Sequence, residues 1–199
     1  MNYPETIRNL IECFKKLPGI GEKTAERLAL STLYMDDDVL KLFSLSLNNI
    51  KTKIKRCEIC NNFSEENVCS ICKDNTRKKD TICVVEEPKN INLFEKMGSY
   101  YGFYHVLDGL ISPLDGVNPE DINISSLIDR VKKNKINEII IAVKPSIEGE
   151  TTALYITKIL EGTNVKVTKI AHGIPLGADM DYIDSLTLEL ALEDRKEVA

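Results

Sequence analysis

No stretch of this 199-residue chain offers the ~18 consecutive apolar residues that a membrane helix requires. The opening Met1-Asn2-Tyr3-Pro4-Glu5 has neither the basic nor the apolar region of a secretory signal, so a cytoplasmic location is expected. Glycine (10) and proline (7) are scarce and no segment repeats or is of low complexity, which excludes a disordered tail protein. There is no G-x-x-x-x-G-K-[ST], which argues against a nucleotide-hydrolysing P-loop. His105 and His172 are the two histidines, and neither forms a Ser/His/Asp or Cys/His order suggestive of nucleophilic catalysis.

What the chain does have is an ordinary globular composition, 43% hydrophobic and 29% charged, enough for one large domain or two small ones. The net charge of −5 is uneven: residues 1–80 carry 14 Lys+Arg against 12 Asp+Glu, and residues 81–199 carry 12 against 19. This asymmetry suggests a front that tolerates a polyanion and an acidic back, although a strongly basic nucleic-acid clamp is absent.

Ile7, Leu10, Ile11 and Phe14 form the stripe of an amphipathic helix within residues 4–16, which Leu17-Pro18-Gly19-Ile20-Gly21 breaks. Ala25, Leu28, Ala29 and Thr32 resume it over 22–34, and Asp36-Asp37-Asp38 opens a third helix through Leu40, Phe43, Leu47 and Ile50, acidic residues suiting the positive end of its dipole. Lys51–Arg56 is a short cationic run. Beyond it, strands are predicted at 81–85, 102–107, 139–143 and 165–170, with helices at Ile91–Met97, 149–160 and 185–196 and a loop over 109–120. Alternating strands and helices imply a mostly parallel sheet covered on both faces.

Cys57-x2-Cys60-x8-Cys69-x2-Cys72 is the sharpest motif. Two Cys-x-x-Cys knuckles supply the four thiolates of a tetrahedral Zn²⁺ site, and four protein ligands leave no position for water, so the metal is expected to fold the segment rather than catalyse. Cys13 and Cys83, on apolar stretches, read as small buried hydrophobes. In Leu17–Arg27, Gly19 and Gly21 let the backbone approach a phosphate, the next helix aims its first amides outward, and Lys23 and Arg27 lie one turn apart on one face. An ordinary corner with two solvated cations accounts for the same residues. Glu86 at a strand end and Glu148 and Glu150 after the 139–143 strand lie where α/β ligand crevices form, either converging on a divalent cation or capping a helix. Ala171–Asp179 reads as a plain connection, with an anion or partner loop as the other reading. Tyr100, Tyr101 and Tyr104 read as core rather than as base-stacking platforms.

In order, these parts resemble the bacterial recombination mediator family RecR: Leu17–Arg27, the cysteine quartet with Ile71, Val84-Val85-Glu86, Tyr104–Leu107 with Ser112–Gly116, Glu148–Ala153, and His172–Gly177. The resemblance implies an α+β chain of several modules: a helix-hairpin-helix region (1–55), a four-cysteine zinc finger (56–79), an α/β Toprim domain with a mostly parallel sheet (80–175), and a C-terminal loop and helix making oligomer contacts (176–199). Toprim modules also occur in topoisomerases and DnaG-type primases, where a Glu and an Asp-x-Asp pair bind Mg²⁺. Glu86 matches the Glu, whereas Glu148-Gly149-Glu150 departs from the aspartates and no topoisomerase-type Tyr is found. The resemblance further implies a non-enzymatic mediator of DNA repair and recombination. It would hold single-stranded, double-stranded and gapped DNA without sequence preference through Gly19, Gly21, Lys23 and Arg27, with one structural zinc per chain. It would act with RecO and RecF to load RecA on DNA coated with single-strand-binding protein, as a ring-shaped homotetramer. Glu86, Glu148 and Glu150 would then serve as RecO docking points or a Mg²⁺ site. The alternative class is a Mg²⁺-dependent Toprim nuclease or primase-like enzyme using those glutamates.

Overall fold

The computed structural model describes residues 3–171, 173–195 and 197. It forms two compact units, parted between Ile54 and Lys55.

The first unit begins with α1 (Glu5–Lys15) and α2 (Glu22–Ser31). Ile11 of α1 packs on Ala25 and Ala29 of α2, small side chains that let the helices approach closely, with Ile7, Leu10, Phe14 and Ile20 around them. The Tyr3 hydroxyl donates to Glu26 Oε1 at 2.7 Å and ties the N-terminal segment to α2. Cys13 does not join this core: it is exposed, because two residues beyond Ile11 lie about 200° around the helix. After a 3₁₀ turn at Thr32–Tyr34, the chain continues into α3 (Asp37–Lys53), none of whose residues is buried. Leu42, Leu45, Leu47 and Ile50 are each more than half exposed.

The second unit opens with a short antiparallel pair, β1 (Lys55–Arg56) and β2 (Phe63–Ser64), and the one-turn helix α4 (Ser70–Lys73). Its centre is a four-stranded sheet of β3 (Thr81–Val85), β4 (Phe103–Val106), β5 (Glu138–Ala142) and β6 (Lys166–Lys169), in the order β4-β3-β5-β6 with every pair parallel. Strand alternation sorts the core into two layers. Ile82, Val84, Phe103, Leu107, Ile139 and Ile141 face α6 (Ile124–Lys133) and α7 (Ile147–Ile159). Cys83, Val85, Tyr104, Val106 and Ala142 face the other way, onto Ile91 of α5 (Pro88–Met97), with Ile71 of α4 packed alongside. Cys83 is thus buried, as is Tyr104, while Tyr101 is exposed.

Three local features differ from expectation. Helix α6 falls where no helix is anticipated, although Ile124, Leu127, Ile128 and Val131 carry helical spacing. Helix α7 begins at Ile147, earlier than 149, because the Ser146 hydroxyl accepts the Gly149 amide at 3.2 Å and caps it. Helix α8 (Ser185–Glu193), capped by Asp184, ends short of Lys196, which lies outside the described residues, as does His172. Gly149 is obligatory: a Cβ there would lie 2.1 Å from the Lys144 carbonyl oxygen, so only glycine lets the start of α7 pass this backbone.

His105 sits fully buried in β4, its Nε2 2.8 Å from the Asn123 carbonyl oxygen and its Nδ1 without a partner among the described residues. Burial foremost, with Arg130 nearby, holds its pKa down to about 4. The unfolded chain therefore binds a proton between its ordinary pKa and about 4 that the native state refuses, and stability falls as pH falls through that window, by on the order of 3 kcal/mol from this residue. Urea unfolding of wild type and His105→Leu from neutral pH to about 4.5 should show the difference moving toward the variant as pH falls. Parallel pH profiles would overturn the assignment.

Candidate functional site

The four cysteines are brought together by backbone bonds that fold the segment on itself. The Cys57 amide donates to the Asn62 carbonyl at 2.8 Å, and Asn61 takes a left-handed turn with φ 62°. The Cys69 amide donates to Cys57 Sγ at 3.3 Å. All four Sγ atoms lie within 4.8 Å of one another, and Cys60 and Cys69 are 3.6 Å apart. A tetrahedron with Zn–S near 2.3 Å has edges of about 3.8 Å, so the four sulfurs are already gathered to about the size of a zinc site. Crowding sets the thiols against each other. Hydrogen bonds from Cys60 and Cys72 hold Cys69 far below the ordinary thiol range, while the same bonds and burial push Cys60 up to about 12 and Cys72 higher still. A bound divalent cation removes that conflict by favouring the thiolate at every position.

This segment is fastened to the sheet. The Val106 amide at the end of β4 donates to the Cys60 carbonyl at 2.9 Å. Arg56 donates to Asn61 O at 3.0 Å and to Asp108 Oδ1 at 2.7 Å, its guanidinium lying over the Phe63 ring. No sequence motif signals this link, which joins residues 52 apart.

The hairpin between α1 and α2 turns at Gly19, whose φ of 79° favours glycine. Gly21 is the N-cap of α2 and supplies no capping side chain, so the first-turn amides are left to outside acceptors. Lys23 and Arg27 are both exposed on that helix, and Glu22 shares its first turn.

Glu86 follows β3 directly, and Glu148 and Glu150 lie in the first turn of α7, so all three border the carboxyl edge of the sheet. They do not form a close ligand cluster: among the described residues, the only group of three or more His, Cys, Asp or Glu donors drawn together in that way is the cysteine quartet. Glu86 Oε1 is 3.8 Å from Lys144 Nζ. Both oxygens of Glu150 accept from Lys169 Nζ, at 2.8 and 2.9 Å. Glu148 accepts from the Ser146 hydroxyl at 2.6 Å, a bond that holds its carboxyl below the usual range. Beside the Lys169–Glu150 pair is a cavity of about 280 Å³, lined also by Ile170, Leu186 and Leu190. Lys144 and Lys169 are not discernible as site residues in the sequence, because neither stands in a motif.

Purified protein is expected to carry one zinc per chain, and its removal by chelation, or Cys60→Ser, to lower the melting temperature and expose residues 55–74 to protease. Elemental analysis gives the metal content; an unchanged melt in zinc-free protein would contradict a structural role.

Four family models match successive parts of the chain. The RecR helix-hairpin-helix model covers residues 7–50, the RecR four-cysteine zinc finger domain 54–74, the Toprim domain 80–171 and the RecR C-terminal model 173–196. The hairpin, the thiolate cluster and the parallel sheet described above fall inside these matches in the same order. With three of the four specific to RecR and together spanning nearly the whole chain, the protein belongs to the RecR family.

Proposed function

We propose that this protein is a DNA-binding recombination mediator without catalytic activity, acting with RecO and RecF to load RecA on gapped DNA coated with single-strand-binding protein. The observation that carries the reading is the start of α2, where side-chain-free Gly21, outward amides and exposed Lys23 and Arg27 make a surface for phosphate rather than for base edges. Such contacts grip DNA irrespective of sequence.

The α3 surface supports assembly into a tetramer. A helix of 17 residues with apolar side chains and nothing buried leaves a face suited to another protein surface. Glu86, Glu148 and Glu150 serve as docking points for RecO in this reading. No helix among the described residues is long and apolar enough to cross a membrane.

Lys23→Ala with Arg27→Ala is expected to weaken binding to gapped DNA and reduce the magnitude of its log–log salt slope by about 1.4 to 1.8 per hairpin engaged. Glu148→Ala should bind bare DNA as wild type does. Fluorescence anisotropy across a salt series reads both, and equal affinity of the double variant and wild type at every salt concentration would sink the hairpin assignment. With Mg²⁺ present, the labelled strands should run at full length on a denaturing gel.

A further inference from the structure

The Toprim match raises a divalent cation at the carboxyl edge of the sheet, and the residues there do not fit one. We propose that this chain supplies the compensating positive charge itself: Lys144, Lys169 and Arg56 take the electrostatic place of the metal, and the edge is an ion-paired surface.

Four carboxylates border this edge. Glu86 faces Lys144 at 3.8 Å, Asp108 pairs with Arg56 at 2.7 Å, and Glu150 holds Lys169 through both oxygens at 2.8 and 2.9 Å. Glu148, the fourth, is bound by the Ser146 hydroxyl. Glu86 and Asp108 belong to neighbouring strand ends, the Asp108 amide donating to the Glu86 carbonyl at 2.9 Å. The cations thus come from three separate elements of the same unit. Mg²⁺ takes oxygen ligands at about 2.0 to 2.1 Å in octahedral array, keeping several waters and binding through one or two carboxylates whose negative charge is not already paired. The ammonium of Lys169, bonded to both oxygens of Glu150, already places a positive charge where a cation would approach and repels a second one.

The fold fixes the lysines. Lys144 belongs to the backbone that Gly149 allows to pass under the start of α7, and its carbonyl accepts the Ser146 amide at 3.0 Å. Lys169 is the last residue of β6, with the next amide, that of Ile170, bonded to Ile141 of β5 at 3.0 Å. With their backbones so held, each ammonium is delivered to its carboxylate by a tethered stem.

The test is Mn²⁺ titration of the zinc-loaded full chain, read by the loss of the free-ion electron paramagnetic resonance signal. Mn²⁺ suits carboxylate ligands and leaves thiolate sites alone. Wild type should bind no stoichiometric Mn²⁺ at concentrations up to about 1 mM, where a carboxylate site of ordinary strength fills. Lys144→Met with Lys169→Met, which keeps the apolar stems, should tighten Mn²⁺ binding at least tenfold, and adding Glu150→Gln should reverse the gain. Overturning results are one Mn²⁺ per wild-type chain that Glu86→Gln or Glu150→Gln abolishes, or a double variant with full zinc content and native circular dichroism that binds Mn²⁺ no better than wild type. If the double variant does not fold, the wild-type titration and Lys144→Met and Lys169→Met made singly decide by the same criteria. Neither lysine lies in the hairpin, so DNA affinity reports on the mediator reading separately.

Discussion

A four-stranded parallel sheet must bury both faces, and here one face has two helices, α6 and α7, while the other has only α5. The cysteine segment completes that second cover, with Ile71 packed beside Ile91, Phe94 and Tyr100 over Cys83, Val85 and Tyr104. A piece this short cannot build a core of its own, and metal ligation is what holds it folded. The sheet therefore depends on the metal through two bonds to its edge, Val106 N–H to Cys60 and Arg56 to Asp108, as well as through packing. Zinc here acts as part of the sheet's architecture, one step removed from any ligand the sheet presents.

The parts legible in sequence are those whose physics is local. Stripes of Ile7, Leu10, Ile11 and Phe14, the β-branched run at Ile139–Val143 and the paired Cys-x-x-Cys knuckles all declare themselves within a few residues. Helix α6 has the spacing but hides behind a Pro- and Gly-broken loop, and its N-cap, Asn123, makes no capping bond to mark the start. The early start of α7 rests on one serine hydroxyl. What local pattern does not convey is partnership over distance. Nothing near Glu150 announces Lys169, which a parallel crossover brings to it, nor does anything near Asp108 announce Arg56, which the docking of the cysteine segment on the sheet brings to it.

Charge follows the same logic. A net −5 argues against DNA binding only if the charge is spread evenly, and it is not. At the carboxyl edge Glu86, Asp108 and Glu150 meet cations within the fold, so three of the four carboxylates there are paired where they sit. At the hairpin the opposite holds: Lys23 and Arg27 stand exposed beside amides with no side-chain cap, next to a single first-turn acid, Glu22. Local availability decides what each surface attracts.

One hairpin with two cations is a weak grip, since each phosphate contact is readily exchanged for salt. In the proposed tetramer, several such hairpins act on one DNA molecule, and once the first is engaged the rest bind at the effective concentration set by the assembly rather than by the solution. Affinity then comes from geometry, while each contact remains individually easy to release. That combination suits a mediator, which must stay on DNA while other proteins are displaced and loaded along it; a single tight site would hold its position instead. The uncovered apolar face of α3 fits this division of labour. On that proposal the first unit uses its exposed apolar surface to join copies and leaves few, exchangeable charges for the nucleic acid.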